Sequence, residues 1–421
     1  MNIQDMSALG ARTIANTKVG QYAANKIASM ASTKRGPLSF FAGKAPTKLS
    51  EINSIGDLAN IDAITQIMLL IIGFLFLIIF WWVHSKLTLN AQNCTQLNKV
   101  YSRFPRIASI IPSNPNYQNR LRDYYIKTAY NCCASGNLKN DFVNLCALKN
   151  CIKQGARCLD FEIYSVNNLP VIATSSISDF SVKESYNTVS FAQAMEVIAI
   201  YAFSGGNCPN PDDPLILHFR VMSKNKDIYD SMATALYNTL EDRLLGADFS
   251  YENNGKNIGA IPLAYLMKKA VVIVDKSNPV FSSSLLDEYV NIASNSAFMR
   301  VLRYDDVKYT PDMDELIFFN KQNMSICIPN LSANNKNYSS ALAMTYGCQM
   351  IAMSFQNFDD NMKFYTQTFD DAGSAFILKP ARLTYIPKFI PIPQPQNPAL
   401  SLGTSVSNPL GQHFLDLHLN K

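Results

Sequence analysis

Between residues 158 and 275 the chain reads CLDFEIY (158–164), LPVIAT (169–174), SFAQAMEVIAIYAF (190–203), PLILHFRV (214–221), DIYDSMATALYNTLEDRLL (227–245) and AVVIVD (270–275). The short apolar runs predict buried strands, and the two longer runs have the spacing of amphipathic helices. Further strands are predicted at MRVLRY (299–304), SICIP (325–329), CQMIAMSF (348–355) and AFILKP (375–380). Strands alternating with helices over roughly 260 residues predict a parallel sheet, and at this size an α/β barrel of the TIM type, (β/α)8, is the leading choice.

One segment ahead of the predicted barrel is apolar throughout. Residues 63–83 read AITQIMLLIIGFLFLIIFWWV, without a charged side chain. At about 1.5 Å of rise per residue, this run is long enough to cross a hydrocarbon layer about 30 Å thick. The tryptophan pair at 81–82 and Lys86 are typical interfacial anchors. We expect a single transmembrane helix that inserts into a lipid bilayer; the alternative is a buried core helix.

The side of the membrane that carries the large domain is left open by the sequence. Lysine and arginine flank both ends of the apolar run, with a small bias that favours a cytoplasmic large domain. Four N-x-S/T triplets argue the opposite way, since they are acceptors for glycosylation outside the cytoplasm. They begin at Asn93, Asn323, Asn330 and Asn337. We expect no cleaved leader, because residues 1–45 lack a signal-peptide pattern.

The chain is predicted to have five segments. These are a polar N-terminal segment (1–62), the transmembrane helix (63–83), a juxtamembrane connector (84–117), the barrel (118–390) and a Pro-rich tail (391–421). A hydrophobic content of 48% is ample for a packed core. We expect the tail to be an extended strap or a disordered end.

Charge and cysteine content exclude some classes of function. The net charge of +5 is spread along the chain rather than collected in runs, so nothing favours nucleic-acid binding. The nine cysteines include no C-x-x-C pair that would predict a zinc site. Their odd number leaves at least one thiol unpaired if all disulfides are internal.

Two separated stretches resemble the X and Y halves of eukaryotic phosphoinositide-specific phospholipase C. The first contains LRDYYIKTAYNCCASG (121–136), GARCLDFEIY (155–164), LPVIATSS (169–176), FAQAMEVIAIYAF (191–203) and PLILHFRV (214–221), in the order of the X half. The second, YGCQMIAMSFQNFDDNMKFYTQTFDDAGSAFILKPARL (346–383), is similar to the family's G-C-Q-x-V-A-L-N-x-Q and G-Y-V-L-K-P segments. The resemblance implies an X half at 118–280 and a Y half at 295–390.

The resemblance also implies that catalysis is lost. Enzymes of this family use two histidines and a calcium ion. The first histidine belongs to a Y-x-x-S-S-H-N element, which here reads YIKTAYN with Tyr130 in its place, and the second position holds Thr174. Neither a phenol with a pKa near ~10 nor a hydroxyl without a base can replace imidazole at neutral pH. His218 alone falls within the predicted barrel, and we expect a structural residue at a strand end.

The calcium-ligand positions are only partly kept. The family supplies an Asn, an E-x-D pair and a further Glu. Asn131 matches the first, and Asp160 and Glu162 match the pair with the two acids interchanged. The fourth position is Arg220, whose permanent positive charge repels a divalent ion. We infer that Arg220 replaces the metal and pairs with Asp160 or Glu162, so that no cofactor is bound. The alternative is that Arg220 faces solvent and the acids form an exposed face.

Substrate-recognition positions are altered as well. The family's R-x-Y-P reads ICIP here, with Ile326 and Ile328 in place of the phosphate-binding and ring-stacking residues. Of the two lysine positions that bind ring phosphates, one holds Val274 and the other Lys276, which is therefore the candidate for phosphate binding.

Three functions follow as hypotheses from these positions. The first is a membrane-anchored pseudoenzyme that acts as a binding or structural module for a protein partner. The second is a phosphoinositide-binding module without turnover. The third is an enzyme with altered, calcium-independent chemistry, in which Asp160, Glu162 and Tyr130 act on a phosphodiester or a glycan.

Overall fold

The computed structural model describes residues 63–386, except 180–181 and 251–256. The predicted polar segment 1–62 and the Pro-rich tail 391–421 lie outside the described residues. The chain divides into two compact units, Met1–Ser85 and Lys86–Lys421.

The described part of the first unit is helical. Helix α1 spans Ala63–Val100, and its residues up to Ser85 belong to this unit. The large apolar side chains from Ile67 to Val83 are all exposed to the surroundings. Among the described residues this is the one helix long and apolar enough to cross a membrane. The helix continues to Val100, so the first part of the predicted connector 84–117 is helical too.

The second unit is built on eleven strands. They are β1 (Tyr124–Ala129), β2 (Cys158–Val166), β3 (Leu169–Ile172), β4 (Val189–Ser190), β5 (Leu215–Val221), β6 (Ala270–Asp275), β7 (Ile292–Ser294), β8 (Met299–Arg303), β9 (Met324–Ile328), β10 (Met350–Met353) and β11 (Phe376–Leu378). Eight of them form one path in the order β7-β6-β5-β2-β1-β10-β9-β8.

Every pairing along this path is parallel. Its two ends, β7 and β8, follow each other in the chain, and an isolated bridge joins Ser296 to Met299 beside the opening. The path is therefore a nearly closed barrel of eight parallel strands, which confirms the predicted TIM-type fold.

Two predicted strands do not join the parallel sheet. LPVIAT forms β3, which runs antiparallel to β2. Only Asn167 and Asn168 separate the two strands, and both have positive φ, at 53° and 59°. A two-residue turn of this kind reverses the chain, whereas a parallel connection needs a long crossover. Similarly, β11 of AFILKP pairs antiparallel with β1.

Seven helices follow in the second unit. They are α2 (Leu145–Lys153), α3 (Phe191–Tyr201), α4 (Lys226–Leu240), α5 (Tyr304–Lys308), α6 (Met313–Gln322), α7 (Ser340–Thr345) and α8 (Asp360–Ala372). In α4, the apolar residues Ile228, Met232, Leu236 and Leu240 recur every four positions and are buried. This period places one stripe of the helix against the sheet. Both α3 and α4 were predicted from the sequence.

Gln349 closes the end of the barrel at which the strands begin. Its Nε2 lies 2.8–3.0 Å from the carbonyl oxygens of Arg122, Asn320 and Asn323, and its Oε1 accepts from the backbone N of Ser325 at 2.8 Å. One buried side chain thus ties together the starts of β1, β9 and β10. The candidate site lies at the opposite end of the barrel, where the parallel strands finish and loops follow them.

Candidate functional site

The register of β2 against β5 assembles a buried polar cluster. Asp160 pairs with His218, and Glu162 pairs with Arg220, in adjacent parallel strands. Because residues two apart on a strand face the same side, all four side chains share one face of the sheet. None is more than 5% exposed.

Arg220 lies at the centre of this cluster. Its Nε and Nη2 donate to Oδ1 and Oδ2 of Asp160 at 2.9 and 2.7 Å, and its Nη1 donates to Oε1 of Glu162 at 2.5 Å. This is the two-pronged geometry that makes arginine the preferred partner of a buried carboxylate. Arg220 therefore pairs with both acids and does not face solvent.

Asn131 and Tyr130 complete the surroundings of the guanidinium. Nη2 of Arg220 also donates to Oδ1 of Asn131 at 3.0 Å, and the backbone N of Asn131 donates to Asp160 at 3.2 Å. The ring centroid of Tyr130 lies 4.9 Å from the guanidinium carbon, at cation–π distance. Burial raises the pKa of Tyr130 to about 12, although the nearby Arg220 opposes the rise, so the phenol keeps its proton.

His218 lies in the middle of β5 rather than at the predicted strand end. Its Nδ1 is 2.7 Å from Oδ1 of Asp160, and its Nε2 is 3.0 Å from Oγ of Ser294 on β7. Both ring nitrogens are thus held by protein groups, and the imidazole links β2 to β7. Sequence reasoning did not find Ser294, because a serine within a three-residue strand carries no recognisable signal.

The remaining oxygens of the cluster are also engaged. Oε2 of Glu162 accepts from the backbone N of Ser175 at 3.1 Å and lies 3.3 Å from the hydroxyl of Tyr164. The hydroxyl of Thr174 donates to the carbonyl of Leu138 at 2.9 Å. Thr174 therefore stabilises a loop after β1.

The electrostatics fix the charges of the cluster. Burial disfavours the ionised form of Asp160, but Arg220 and His218 outweigh it and hold the pKa of that carboxyl well below its usual range. Burial likewise opposes the charge on Arg220, yet Asp160 and Glu162 raise the pKa of the guanidinium well above its usual value. Asp160 is therefore ionised and Arg220 is charged at neutral pH.

These residues do not fit a calcium ion. Calcium takes six to eight oxygen ligands, largely from carboxylates and carbonyls. Oδ1 of Asn131, both carboxylate oxygens of Asp160 and Oε1 of Glu162 accept hydrogen bonds from one guanidinium, whose charge repels a divalent cation. Elsewhere in the described part of the chain, no group of three or more His, Cys, Asp and Glu side chains is arranged to hold a metal.

The positions linked to substrate recognition are divided between the core and the surface. Val274, Ile326 and Ile328 are buried in the hydrophobic core. Lys276 is exposed just after β6, and its backbone N donates to the carbonyl of Ser294 at 2.9 Å. The structure does not bring Lys276 into the buried cluster.

Cysteine pairing was not predictable from sequence spacing. A disulfide joins Cys94, on the last part of α1, to Cys146 at the start of α2, 52 residues along the chain. The other seven cysteines are free and buried, namely Cys132, Cys133, Cys151, Cys158, Cys208, Cys327 and Cys348. The disulfide therefore ties α1 to the barrel within the second unit.

Comparison with known proteins finds a family match in the last part of the barrel. Residues 288–382 match the family model "Phosphatidylinositol-specific phospholipase C, Y domain". This match contains β7 to β11 and overlaps the Y half expected at 295–390. No curated protein matches the sequence significantly.

Solved structures of two cephalopod proteins are similar to the barrel. PLC21 of L. pealei has a TM-score of 0.53 and 18% identity, covering 64% of this chain and 38% of that protein. PLC21 of S. officinalis has a TM-score of 0.53 and 18% identity, covering 65% and 39%. The chain thus spans less than two fifths of the length of either relative. At this identity the likeness shows the fold, and the family match at the level of sequence is confined to residues 288–382.

Proposed function

We propose that the chain is a phospholipase C-like pseudoenzyme, anchored in a membrane by residues 63–83, whose barrel acts as a binding or structural module. One observation carries the proposal: the guanidinium of Arg220 donates hydrogen bonds to the three side chains that match calcium ligands. A positive charge held permanently inside the protein takes over the electrostatic role of the metal.

Neither Tyr130 nor Asp160 is suited to acid–base chemistry at neutral pH. A general acid or base works best with a pKa near the operating pH. The pKa of Tyr130 is raised to about 12 and that of Asp160 is held well below its usual range. His218 is engaged at both nitrogens. The same contacts argue against an altered phosphodiesterase that would use Asp160, Glu162 and Tyr130.

Access to the cluster is blocked by its own side chains. Tyr130 is 2% exposed and Arg220 is 5% exposed. A phosphodiester would have to displace the tyrosine ring and then compete with two carboxylates for the guanidinium. Breaking a buried ion pair without a replacement partner costs about 3–5 kcal/mol. Such a cost favours a closed, structural cluster.

Hydrolysis of phosphoinositide by the full chain in detergent micelles tests the proposal. We expect no release of inositol phosphate, with or without calcium, under conditions in which an active enzyme of the family turns over. Turnover that is lost in Asp160→Asn would overturn the proposal and favour the altered enzyme.

Calcium binding provides a second, independent measurement. Arg220→Glu restores the fourth carboxylate, and we expect calcium to raise the melting temperature of this variant but not that of the natural chain. Lys363→Glu, which reverses an exposed charge, is the matched control. Calcium stabilisation of the natural chain would contradict the replacement of calcium by Arg220.

A binding measurement tests the remaining alternative, a phosphoinositide-binding module without turnover. Titration of the full chain with a soluble inositol phosphate, followed by calorimetry, should give no heat of binding. Heat that disappears in Lys276→Ala would instead favour the phosphoinositide-binding module.

A further inference from the structure

A cleft of about 380 Å³ lies outside the buried cluster, at the rim where the parallel strands end. One wall is the last part of α1, from Leu89 to Val100. The other walls are loops that follow β1, β9 and β10. Loops at this end of a TIM-type barrel are where such folds bind ligands, and the volume falls within the range of small-molecule sites.

The walls of this cleft are held in place by specific contacts. The disulfide between Cys94 and Cys146 fixes the helical wall. Tyr101 donates from its hydroxyl to the carbonyl of Phe355 at 2.7 Å, and Asn335 donates to the carbonyl of Gly136 at 2.8 Å. The cleft is therefore formed before any ligand arrives, which lowers the entropic cost of binding.

The lining is rich in uncharged hydrogen-bonding groups. Six carboxamide side chains contribute to it: Asn93, Gln96, Asn137, Asn335, Gln356 and Asn357. A carboxamide offers both donors and an acceptor, as a ligand with several hydroxyls requires. Among the described residues that line the cleft there is no lysine, arginine or histidine. A phosphate or a carboxylate would find no cation there.

Asp141 is the one charged residue in the described lining, and its oxygens are already engaged. Oδ1 accepts from Asn93 Nδ2 at 2.8 Å and from the backbone N of Phe142 at 2.9 Å, while Oδ2 accepts from the backbone N of Asn137 at 2.9 Å. Its role is to hold the loop after β1 against the helical wall. A cationic ligand therefore gains little from this carboxylate.

Two further observations point to an occupant. Nε2 of Gln356 is buried without a hydrogen-bond partner in the described structure, and a buried orphan donor is uncommon in a native protein. Phe358 remains 41% exposed and meets Tyr101 edge-on at 5.7 Å. An exposed aromatic ring beside the free amide donor of Gln356 suits the C–H face and the hydroxyls of a sugar ring.

We propose that this cleft binds an uncharged saccharide, either free or at the end of a glycan chain. The carboxamides would bind its hydroxyls, and Phe358 would pack against its ring. This inference does not rest on the pseudoenzyme proposal, because the cleft shares none of the residues of the Arg220 cluster.

Saturation-transfer NMR on the full chain tests the inference, with N-acetylglucosamine, mannose, a glycopeptide that ends in each of these sugars, and inositol phosphate as probes. We expect signal transfer to a neutral saccharide and none to inositol phosphate. Preference for the glycopeptide over the free sugar would assign the site to glycan chains. The absence of a saturation-transfer signal for every neutral saccharide, or binding of inositol phosphate alone, would overturn the inference.

Three variants connect the signal to the cleft. Gln356→Leu and Asn137→Leu should weaken binding about tenfold, as expected from the loss of one or two hydrogen bonds. Both should fold, since Gln356 Nε2 has no partner to lose and Asn137 is exposed. Gln118→Leu changes an exposed amide elsewhere and should bind normally. Unchanged binding in both cleft variants would place the sugar elsewhere and defeat the proposal.

Discussion

Arg220 and Asp160 form a two-pronged ion pair inside the barrel, with Nε–Oδ1 and Nη2–Oδ2 distances of 2.9 and 2.7 Å. The pair depends on the parallel register that sets Asp160 beside His218 and Glu162 beside Arg220. The guanidinium also donates to Glu162, so that a single side chain pairs with both buried carboxylates. Because the counter-charge is covalently attached, the barrel needs no ion to keep these acids buried.

Arg220→Leu should destabilise the protein strongly. The substitution leaves Asp160 and Glu162 buried without their cation, and removal of one partner of a buried ion pair costs about 3–5 kcal/mol. Arg220→Lys should recover only part of the loss, since an ammonium group cannot reproduce the two-pronged contact. Denaturant unfolding measures both effects.

An exposed ion pair provides the control for Arg220. Lys363 lies 2.9 Å from Asp360, and their side chains are 58% and 98% exposed. Lys363→Met should change the unfolding free energy by less than about 0.5 kcal/mol. Equal losses of unfolding free energy in Arg220→Leu and Lys363→Met would show that the buried cluster stabilises the protein no more than an exposed ion pair does.

Lys379 should make stability depend on pH near neutrality. Its side chain is buried and donates to the carbonyl of Asn320 at 3.0 Å, and burial lowers its pKa to about 7. An unfolded lysine titrates near ~10.4, so between these values the unfolded chain holds the extra proton. The unfolding free energy therefore rises with pH across this window.

Comparison with Lys379→Met isolates this effect from the titration of other groups. From pH 6.5 to 8, the unfolding free energy of the natural chain should gain about 1 kcal/mol relative to that of the variant. Gln349 still donates to the carbonyl of Asn320 in the variant, so that this buried oxygen keeps a hydrogen-bond donor. Lys336→Met, at an exposed position, controls for the loss of one positive charge. A pH-independent difference between the natural chain and Lys379→Met would refute the prediction.

Most barrel strands could be predicted from the sequence because they are buried on both faces. The run AVVIVD, for example, corresponds to β6, whose residues are buried except for Asp275 at its end. The β2–β3 hairpin was missed because its direction depends on positive φ at Asn167 and Asn168, which composition does not reveal. Likewise the helix beyond residue 83 is polar, and its packing against protein depends on contacts such as those of buried Leu97 and the Cys94–Cys146 disulfide.

The site was predictable only through the resemblance to the family. It identified Asn131, Asp160, Glu162 and Arg220 as positions that belong together, although they are distant in sequence. The resemblance could not predict the hydrogen-bond partners of Arg220. Whether Arg220 pairs with one acid or with both depends on the strand register and on the side-chain rotamers. The roles of Ser294 and of the Cys94–Cys146 pair were not predicted for the same reason. Each role depends on a contact between distant parts of the chain.

In the native protein, reagents in solution should reach the disulfide but not the free cysteines. Cys94 and Cys146 are partly exposed, whereas the seven free cysteines are buried. Alkylation of the denatured chain should modify seven thiols before reduction and nine after it. Reduction should lower the unfolding free energy by about 2–4 kcal/mol.

The double variant Cys94→Ser/Cys146→Ser controls for other effects of the reductant. It should unfold as readily as the reduced natural chain and should not respond to reductant. A natural chain with nine alkylated thiols before reduction would show that the two cysteines are not bonded.

Charge placed within residues 63–83 should prevent membrane insertion. Leu70 and Leu77 are 73% and 67% exposed in a segment with no charged side chain. An arginine near the centre of a transmembrane helix costs about 2.5–3.5 kcal/mol on insertion scales. Leu70→Arg/Leu77→Arg should therefore shift the full chain from the membrane pellet to the soluble or aggregated fraction after alkaline extraction. Ile111→Arg/Ile200→Arg adds the same charge at exposed positions of the second unit and should leave the chain in the pellet. If the Leu70/Leu77 variant also stays in the pellet, residues 63–83 are not what holds the protein in the membrane.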